Sequence, residues 1–410
     1  MEKARRQILK MVAATPFAMA MSPVFSSEMS MKDRVTKIIR EYSAQGIHRT
    51  GTAVDLASAE WFRNQITELG VAPEEDRFSF KRIDVQKSEL EINGTVIHGI
   101  PLYDCLYTNA EGVRGQVGEI GSDADIGVVS SLPHLRTPGG QSLAKARVEA
   151  KHKAIIVVTD SRLPPGITTF NAENYTEPFG PPVLQIAHAD WLKVEGVLTA
   201  EATATLTAQC RYVDARGINI GATIKGKNSK LAPLVIMTPR SGWWACASER
   251  GGGIACLLEM MRAIQQSGPQ RDVIFTANTG HELSHIGLDH YLDRRRQLVR
   301  AAHMWIHLGA NFAAKIAPGI RLQYSDEAAQ SLLTDALTRR DLKPSVETPL
   351  STRPYGEARN IHDGQGRYIS LLGGNGLFHH PDDVWPNAVD LDLTVKWIEA
   401  FTDLGLQLSS

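Results

Sequence analysis

The sequence predicts an α/β fold: a mostly parallel mixed sheet with helices on both faces. From residue 217 onward, short apolar runs alternate with amphipathic segments, as strands alternate with helices in such folds. The strand candidates are Ile218–Ile224, Leu234–Met237, Val273–Ala277, His303–Leu308 and Tyr368–Leu372. The helix candidates are Gly253–Gln265, Leu288–Leu298, Ala328–Arg339 and Leu391–Leu406. Ligands of such sheets bind beyond the carboxyl ends of the strands, so functional residues are expected in the turns that follow them.

Composition excludes several classes of protein. The chain has 410 residues, 43% of them hydrophobic and 22% charged, which is typical of globular proteins and not of disordered, collagen-like or coiled-coil chains. Its 44 basic and 45 acidic residues give a net charge of −1, so no overall field attracts nucleic acid or an anionic membrane. Four cysteines do not form a disulfide scaffold in a chain of this length. We therefore expect a small-molecule or peptide substrate and no nucleic-acid partner.

The first 26 residues are predicted to be a signal peptide of the twin-arginine type. A basic start that contains Arg5 and Arg6 is followed by a mildly apolar stretch, residues 11–25, with two prolines. That stretch is shorter than the roughly 20 residues that cross a bilayer as a helix, and it suits a cleavable export signal better. We expect a periplasmic or secreted protein without a membrane anchor after cleavage. A disordered basic tail is the alternative.

The rest of the chain divides by composition. Residues 31–45 and 53–69 have the apolar spacing of amphipathic helices, and residues 73–93 and 96–104 alternate as strands do. Helix signals then become sparse, and glycine, proline and short β-rich runs dominate. We therefore expect a β-rich module, residues 94–214, inserted into an α/β domain that comprises residues 27–93 and 215–410.

Carboxylates and imidazoles occupy the turns after three of the predicted strands. Glu249 precedes the glycine run that opens a helix, His281 and Glu282 follow Val273–Ala277, and a histidine pair, His379 and His380, lies in a glycine-rich turn. Carboxylate oxygen and imidazole nitrogen are ligands that zinc takes, and three protein ligands leave one coordination position open for chemistry.

With these residues in this order, the chain resembles the family-28 zinc metallopeptidases, which include aminopeptidases, glutamate carboxypeptidases and the related glutaminyl cyclases. The resemblance runs from about residue 45 to the C-terminus, and its most specific part is VIFTANTGHELSHIGLDHYL, residues 273–292. It implies the zinc-aminopeptidase fold and a protease-associated domain at residues 94–214.

The same resemblance implies a two-zinc site, but this chain lacks several of the ligands. The family's first histidine falls on Pro239, its companion aspartate on Ser241, and a second aspartate falls near Gly309. One ion of the pair therefore loses its own ligands, so a two-metal site is not expected.

The ligands of the other ion are retained. The bridging carboxylate falls on Glu249, the ligand glutamate on Glu282 and the late histidine on His379 or its neighbour His380, while the family's catalytic glutamate is replaced by His281. This trio resembles the single-zinc arrangement of glutaminyl cyclases. The resemblance therefore implies one divalent metal, zinc being the first choice, held by Glu249, Glu282 and His379.

These residues lead to the preferred functional hypothesis: an exported hydrolase that cleaves an amide, cyclic amide or ester bond of a small molecule or peptide, with at most one metal ion. The metal would polarise the carbonyl and acidify a bound water. His281 would take the proton of that water and return it to the leaving group.

Further side chains in the same turns are candidates for substrate binding: Arg240, Trp243, Trp244, Arg250, His307 and His380. The tryptophans could stack on a heterocycle and Arg240 could hold a carboxylate, whereas filling of space and a structural ion pair are the alternatives. Asp382 and Asp383 are expected to orient the late histidine. Cys105 and Cys210 could form a disulfide in an oxidising compartment, and Cys246 and Cys256 are as readily free.

Three other interpretations stay open on sequence alone. Arg240 or Arg250 could pair with the carboxylates and fill the vacated metal position, which would leave a pseudo-peptidase that only binds. Alternatively, a metal-free enzyme could use His281, His379 and Arg240 for acid–base isomerisation or ring opening. The segment from His281 to His285 also has zincin spacing, but it follows a strand and lacks a third ligand downstream.

Overall fold

The computed structural model describes residues 29–196 and 202–410. The predicted signal peptide, residues 1–26, lies outside the described residues. Among the described residues, every helix is too short or too polar to cross a membrane.

The helices of the described residues are α1 (Met31–Ala44), α2 (Ala53–Glu68), α3 (Pro138–Glu149), α4 (His188–Glu195), α5 (Gly251–Ser267), α6 (Ile286–Asp293), α7 (Leu298–Ala301), α8 (Glu327–Thr338), α9 (Ala358–Asp363) and α10 (Leu391–Ser409). The strands are β1 (Pro73–Ile92), β2 (Thr95–His98), β3 (Ile100–Pro101), β4 (Val113–Glu119), β5 (Ile126–Ser131), β6 (Ala154–Thr159), β7 (Val183–Ile186), β8 (Thr203–Ile224), β9 (Leu234–Pro239), β10 (Val273–Asn278), β11 (Met304–Leu308), β12 (Gly319–Tyr324), β13 (Val346–Glu347) and β14 (Tyr368–Gly374).

The main sheet has a parallel centre with antiparallel neighbours. Strands β14, β11, β9 and β10 lie side by side and are parallel. On one side β12 pairs antiparallel with β14, and on the other β8 pairs antiparallel with β10. The predicted mostly parallel mixed sheet is confirmed.

Helices cover both faces of this sheet, as predicted, because alternate residues of each central strand point to opposite sides. In β9, Leu234 and Ile236 pack into a core with residues of α1, α2, α5, α8 and α10. Val235 and Met237 pack on the other side with residues of α6, α7 and α9. Fully apolar central strands are typical of sheets buried on both faces.

Helix α5 begins very close to the ends of the central strands, and glycine permits this approach. A Cβ atom on Gly253 would lie 2.6 Å from Thr238 Oγ1 and 3.0 Å from the carbonyl oxygen of Leu308. The first turn of α5, with the preceding Glu249 and Arg250, is thereby held against β9 and β11.

A second unit is joined to the main sheet by two long strands. Strands β1 and β8 pair antiparallel along almost their whole lengths, with a register shift between Val85 and Lys87. Beyond the main sheet, β8 also pairs with β4, which leads into the parallel strands β5, β6 and β7. These strands enclose separate apolar cores. The predicted limits of the module, 94 and 214, and its identity as a protease-associated domain stay predictions.

Local differences from the sequence expectations have simple causes. Leu288–Leu298, predicted as one helix, forms α6 and α7 with a turn between them. The module also contains α3, whose first residues, Pro138-Gly139-Gly140, have low helix propensity. The side chain of Thr137 caps this helix by accepting a hydrogen bond from the Gly140 amide.

The suggested disulfide between Cys105 and Cys210 is wrong. All four cysteines are free thiols. Cys105 is buried and its Sγ donates to the carbonyl oxygen of Leu102 at 3.0 Å.

Helix α10 supplies large side chains to the main core, which gives a test of the fold. Phe401 is fully buried against α5 and its neighbours, so Phe401→Ala should lower the free energy of unfolding by about 3–5 kcal/mol. Ile47→Ala, at a side chain 49% exposed, should change it by about 0.5 kcal/mol or less. Urea unfolding followed by fluorescence measures both, and equal effects would contradict this packing.

Candidate functional site

The predicted turns meet at one end of the main sheet. Glu249 and Arg250 lie at the start of α5, His281 and Glu282 follow β10, and His379 follows β14. Two further residues join them: His307 within β11, and Glu357 immediately before α9. Every one of these side chains is buried, His281 being the most exposed at 7%.

Arg250 stands at the centre of this cluster. Its guanidinium is fully buried, with Nη2 2.8 Å from Glu249 Oε1, and its Nε donates to the carbonyl oxygen of Ser241 at 2.8 Å. Burial alone would raise the pKa of Glu249, but the charge of Arg250, with His379, lowers it to about 2. Glu249 is therefore a carboxylate that neutralises the guanidinium.

The same guanidinium acts on the neighbouring imidazoles. Burial and then the charge of Arg250 lower the pKa of His307 to about 3. Burial and Arg250, in the same order, hold the pKa of His281 well below its usual value. Both imidazoles are thus neutral near pH 7.

His281 is paired with Glu357. Its Nδ1 lies 3.4 Å from Glu357 Oε1, and its ring stacks on that of His285 at 4.7 Å between centroids. Burial raises the pKa of Glu357 to about 8, against the opposing charge of Arg250. The pair has the geometry of an imidazole oriented by a carboxyl group.

Glu282 has a structural role instead of the predicted role as a metal ligand. Its Oε1 accepts hydrogen bonds from the Thr50 amide at 2.8 Å and the Thr50 hydroxyl at 2.6 Å. Its Oε2 accepts from the Ser241 hydroxyl at 2.6 Å. The carboxylate thus connects the segment before α2, the turn after β9 and the turn after β10.

His379 faces the centre of the site with one nitrogen. Its Nδ1 lies 2.6 Å from the carbonyl oxygen of Thr169, so Nδ1 carries the proton and donates. Its Nε2 lies 3.5 Å from Glu249 Oε1.

The residues present do not fit the zinc that the resemblance implies. The Glu282 carboxylate is engaged by Thr50 and Ser241, and Glu249 is engaged by Arg250. Across residues 29–196 and 202–410, no group of three or more His, Cys, Asp and Glu side chains is placed to hold a metal. A metal held by Glu249, Glu282 and His379 does not fit the contacts of the described residues, because a guanidinium lies where such an ion would need open donors.

Arg240 forms a structural ion pair and is not a substrate clamp. Its Nη2 lies 3.0 Å from Asp55 Oδ1, and its guanidinium also donates to the backbone oxygens of Asp55 and Ile218. The side chain is fully buried, so its donors serve the packing of α2 on the sheet.

The side chains of both tryptophans also form contacts within the protein. Trp243 stacks on Tyr103 at 5.1 Å between ring centroids, and its Nε1 donates to Asn171 Oδ1 at 3.0 Å. Trp244 Nε1 donates to the carbonyl oxygen of His379 at 2.9 Å. The expected stacking on a substrate is corrected for Trp243, whose ring is already stacked, whereas Trp244 fixes the turn that carries His379.

His380 and Asp383 support neighbouring loops. His380 is fully buried, and its Nε2 lies 3.1 Å from the Pro164 carbonyl oxygen. It therefore lies outside the central cluster, whereas the sequence predicted it as a substrate-binding residue. Asp383 does not orient the late histidine: its carboxylate accepts from the amides of Ser248 and Glu249 at 2.8 and 2.9 Å. It thereby fixes the turn that carries Glu249.

Glu357 is the functional candidate that sequence reasoning missed. It lies in the segment STRPYGEARN, where no alternation or helical period marks it. Its only sequence signal is a carboxylate beside a glycine, Gly356. In the structure, the φ of +63° at Gly356 marks a turn. Glu357 contacts His281, which lies 76 residues earlier in the chain, and this contact places it in the site.

Within residues 29–196 and 202–410, several polar atoms of the cluster make no regular hydrogen bond, although Arg250 Nη2 and Glu249 Oε1 face each other as an ion pair. They are Glu249 Oε1, Arg250 Nη1 and Nη2, His307 Nε2, Glu357 Oε2 and His379 Nε2. Buried polar atoms are nearly always paired in folded proteins. Five such residues in one enclosed region therefore mark a place for a polar ligand or ordered water.

The loops of the site also contain backbone conformations that side chains other than glycine rarely adopt. Positive φ angles occur at Cys246 (51°), His285 (64°), Asn311 (73°) and His379 (55°). Such conformations persist where surrounding contacts enforce them, and they concentrate at functional sites.

One segment of the second unit, residues 169–173, covers this cluster. Besides the Thr169 contact with His379, the Ala172 amide donates to the carbonyl oxygen of Glu282 at 2.9 Å. Glu173 forms a 2.8 Å ion pair with Arg359 in α9. A single segment of the second unit therefore closes the site from three sides.

Comparisons with known proteins agree with this architecture. A zinc aminopeptidase from Bacillus subtilis matches with a TM-score of 0.74 and 17% identity, over 91% of this chain and 93% of that one. A peptidase M28 precursor from Shewanella amazonensis matches with a TM-score of 0.74 and 14% identity, over 93% and 95%. An aminopeptidase from an Aneurinibacillus strain gives 0.67 and 14%, over 92% and 93%. A search of curated protein sequences gave no match.

The fold is thus that of the zinc aminopeptidases, and the site lies beyond the carboxyl ends of the central parallel strands, where ligands of such sheets bind. Residues 219–345 match the model of peptidase family M28. This segment of the α/β domain is therefore similar to the M28 peptidases, and together with the fold this similarity supports a hydrolase. The resemblance seen in the sequence is confirmed.

The Arg250–Glu249 pair yields a stability prediction. Arg250→Met should lower the free energy of unfolding by about 3–5 kcal/mol, because it leaves Glu249 buried without its counter-charge. Adding Glu249→Gln should restore part of the loss. Arg162→Met, at an exposed arginine paired with Asp160, is the control and should leave stability unchanged. Thermal and urea unfolding of Arg250→Met, Glu249→Gln, the double variant and Arg162→Met measure this, and additive single and double effects would contradict the pairing.

Proposed function

We propose that this hydrolase cleaves an amide, cyclic amide or ester bond of a small molecule or peptide, with His281 as the general base. The observation that carries the proposal is the buried pair of His281 and Glu357, with 3.4 Å between Nδ1 and Oε1. It lies in the turn after β10, where the resemblance places the family's catalytic glutamate.

The pair provides a route for the proton. When Glu357 is ionised it accepts the Nδ1 hydrogen of His281, and the lone pair of Nε2 is then free to accept a proton. Nε2 takes a proton from water as the water oxygen bonds to the carbonyl carbon. The carbon–nitrogen or carbon–oxygen bond then breaks, and the proton passes to the leaving atom.

The electrostatics of the site support this role. Burial and Arg250 keep His281 neutral near pH 7, and a base must be unprotonated to act. The enclosing segment around Thr169 and Ala172 keeps bulk water from the cluster, which strengthens electrostatic interactions inside it.

Export belongs to the same proposal. It rests on the basic start and short apolar stretch of residues 1–26. A periplasmic or secreted enzyme of this class would meet peptides and small amides outside the cytoplasm.

A second candidate function is acid–base isomerisation or ring opening by the same neutral histidines. The enclosure of the site favours it, because an enclosed cluster of donors and acceptors suits a small substrate that is rearranged without loss of a fragment. A protein that only binds is the third possibility, and the following experiment separates the three.

Mature wild-type protein should be screened against N-terminal peptides, small amides, lactams and esters, with product analysis by mass spectrometry. We expect hydrolysis, with a mass gain of one water across the products. His281→Ala should lower kcat by about a hundred- to ten-thousand-fold, the usual contribution of a general base.

The matched control for that variant is His290→Ala, in α6, because His290 stacks on Phe78 away from the cluster. It should keep wild-type kcat. Products of unchanged mass would favour isomerisation, and binding without turnover would favour the pseudo-peptidase.

The pH profile should reflect the Glu357 carboxyl group. Its pKa is raised to about 8, and the base form of the pair requires its ionised state, so kcat/KM should rise with pH and level off above about 8. Below that value the rate should fall about tenfold for each pH unit. Glu357→Gln should be slow at every pH and lose this rise. A wild-type profile that is flat between pH 6 and 9 would contradict the role of Glu357.

A further inference from the structure

We propose that the Arg250 guanidinium replaces the metal ions of this site: it polarises the substrate carbonyl and binds the oxyanion that forms there. This inference rests on the proposed hydrolysis and adds the group that supplies the positive charge. It assigns Arg250 a catalytic role in place of the substrate-binding role predicted from the sequence.

The position of Arg250 is the first reason. Its neighbour in the chain, Glu249, stands where the resemblance places the bridging metal ligand, and the guanidinium lies 2.8 Å from the carboxylate of Glu249. Nε is held by the Ser241 carbonyl oxygen, in the turn where the family's first metal ligands would lie. The guanidinium therefore occupies the region between two former ligand positions.

The unused donors of Arg250 are the second reason. The side chain is fully buried; Nη2 faces the Glu249 carboxylate at 2.8 Å as an ion pair, whereas Nη1 has no hydrogen-bond partner within the described part of the chain. A buried guanidinium is costly unless its N–H groups are paired. Donors left open in this way are available to an oxygen atom of a bound substrate.

The neighbours of the guanidinium are the third reason. Ser241 contacts both groups, because its carbonyl oxygen accepts from Arg250 Nε at 2.8 Å and its hydroxyl oxygen accepts from the His281 amide at 3.3 Å, so the proposed base and the proposed cation border the same space. Hydrolysis of an acyl compound needs both groups on one carbonyl, the base for the attacking water and the cation for the carbonyl oxygen.

The chemistry of arginine suits this role. A guanidinium keeps its charge at all ordinary pH values and presents several N–H donors in a plane. As the water oxygen bonds to the carbonyl carbon, the π electrons of the carbonyl move to its oxygen, where the Nη donors receive the negative charge. Return of that electron pair expels the leaving group, which takes the proton from His281.

The other changes in the site are consistent with this replacement. Pro239 and Gly309 offer no metal-binding side chain, and the Ser241 hydroxyl donates to Glu282. Removal of metal ligands and gain of one fixed cation leave the buried charge of Glu249 compensated. The loss of metal ligands at Pro239, Ser241 and Gly309 is therefore consistent with the presence of a fixed cation at Arg250.

Metal content is the first test. The mature wild-type protein, purified without chelator, should contain no stoichiometric zinc by elemental analysis and should show no binding when titrated with zinc chloride in a calorimeter. Its hydrolytic activity should withstand 1,10-phenanthroline and EDTA. Stoichiometric zinc whose removal abolishes activity would overturn the inference while leaving hydrolysis intact.

Chemical rescue is the second test. Arg250→Ala should lower kcat by about a hundred- to a thousand-fold, as removal of an oxyanion donor does. Guanidinium chloride at millimolar, non-denaturing concentration should restore part of that activity, and urea, which is similar in shape but neutral, should not. Failure of guanidinium to rescue a folded Arg250→Ala would overturn the inference.

Two further variants control for loss of folding in this test. Arg147→Ala removes another buried arginine, paired with Asp104 at 2.9 Å in the second unit, and it should show no stimulation by guanidinium. Arg250→Lys retains a charge without the planar donors and should keep the fold, by circular dichroism, with kcat below wild type. Wild-type kcat in Arg250→Lys would overturn a role for the planar donors. A wild type without hydrolytic activity would overturn the proposed function and this inference with it.

Discussion

The buried pair of Arg250 and Glu249 is the interaction on which the rest of the site depends. Two opposite charges, both at most 1% exposed, are stable inside a protein only when they are close and their geometry is fixed. Their separation of 2.8 Å keeps Glu249 ionised, and burial, reinforced by the positive charge, lowers the pKa of His281 and His307. One ion pair and the burial around it therefore set the charge at the centre of the site.

The surrounding protein holds this pair in place through carboxylates that do no chemistry themselves. Asp383 fixes the amides of Ser248 and Glu249, and Glu282 connects Thr50 to Ser241. Hydrogen bonds thus hold distant loops together, which explains how the site can stay ordered when its side chains do not form a metal-binding group.

Apolar patterning was enough to predict the sheet, its covering helices and the turns that carry the site. Strand β10 and helix α5 are continuous apolar segments bounded by glycine, and their positions follow from that alone.

The role of Glu282 could not be predicted, because Thr50, which engages it, lies 232 residues away. Glu357 was missed for the same reason: its segment has no period, and only the folded chain brings it to His281. Whether Arg250 or a metal would neutralise Glu249 was left open, since side-chain direction is not encoded in spacing.

The two long strands that join the units have a mechanical consequence. Strands β1 and β8, of 20 and 22 residues, form a ribbon roughly 65 Å long at about 3.3 Å per residue. The Thr169 carbonyl belongs to the unit that this ribbon joins to the main sheet, whereas His379 belongs to the domain of the main sheet, and the two residues are in contact. The partner of His379 Nδ1 is therefore supplied through a long antiparallel connection, and the orientation of that imidazole depends on how the two units are joined.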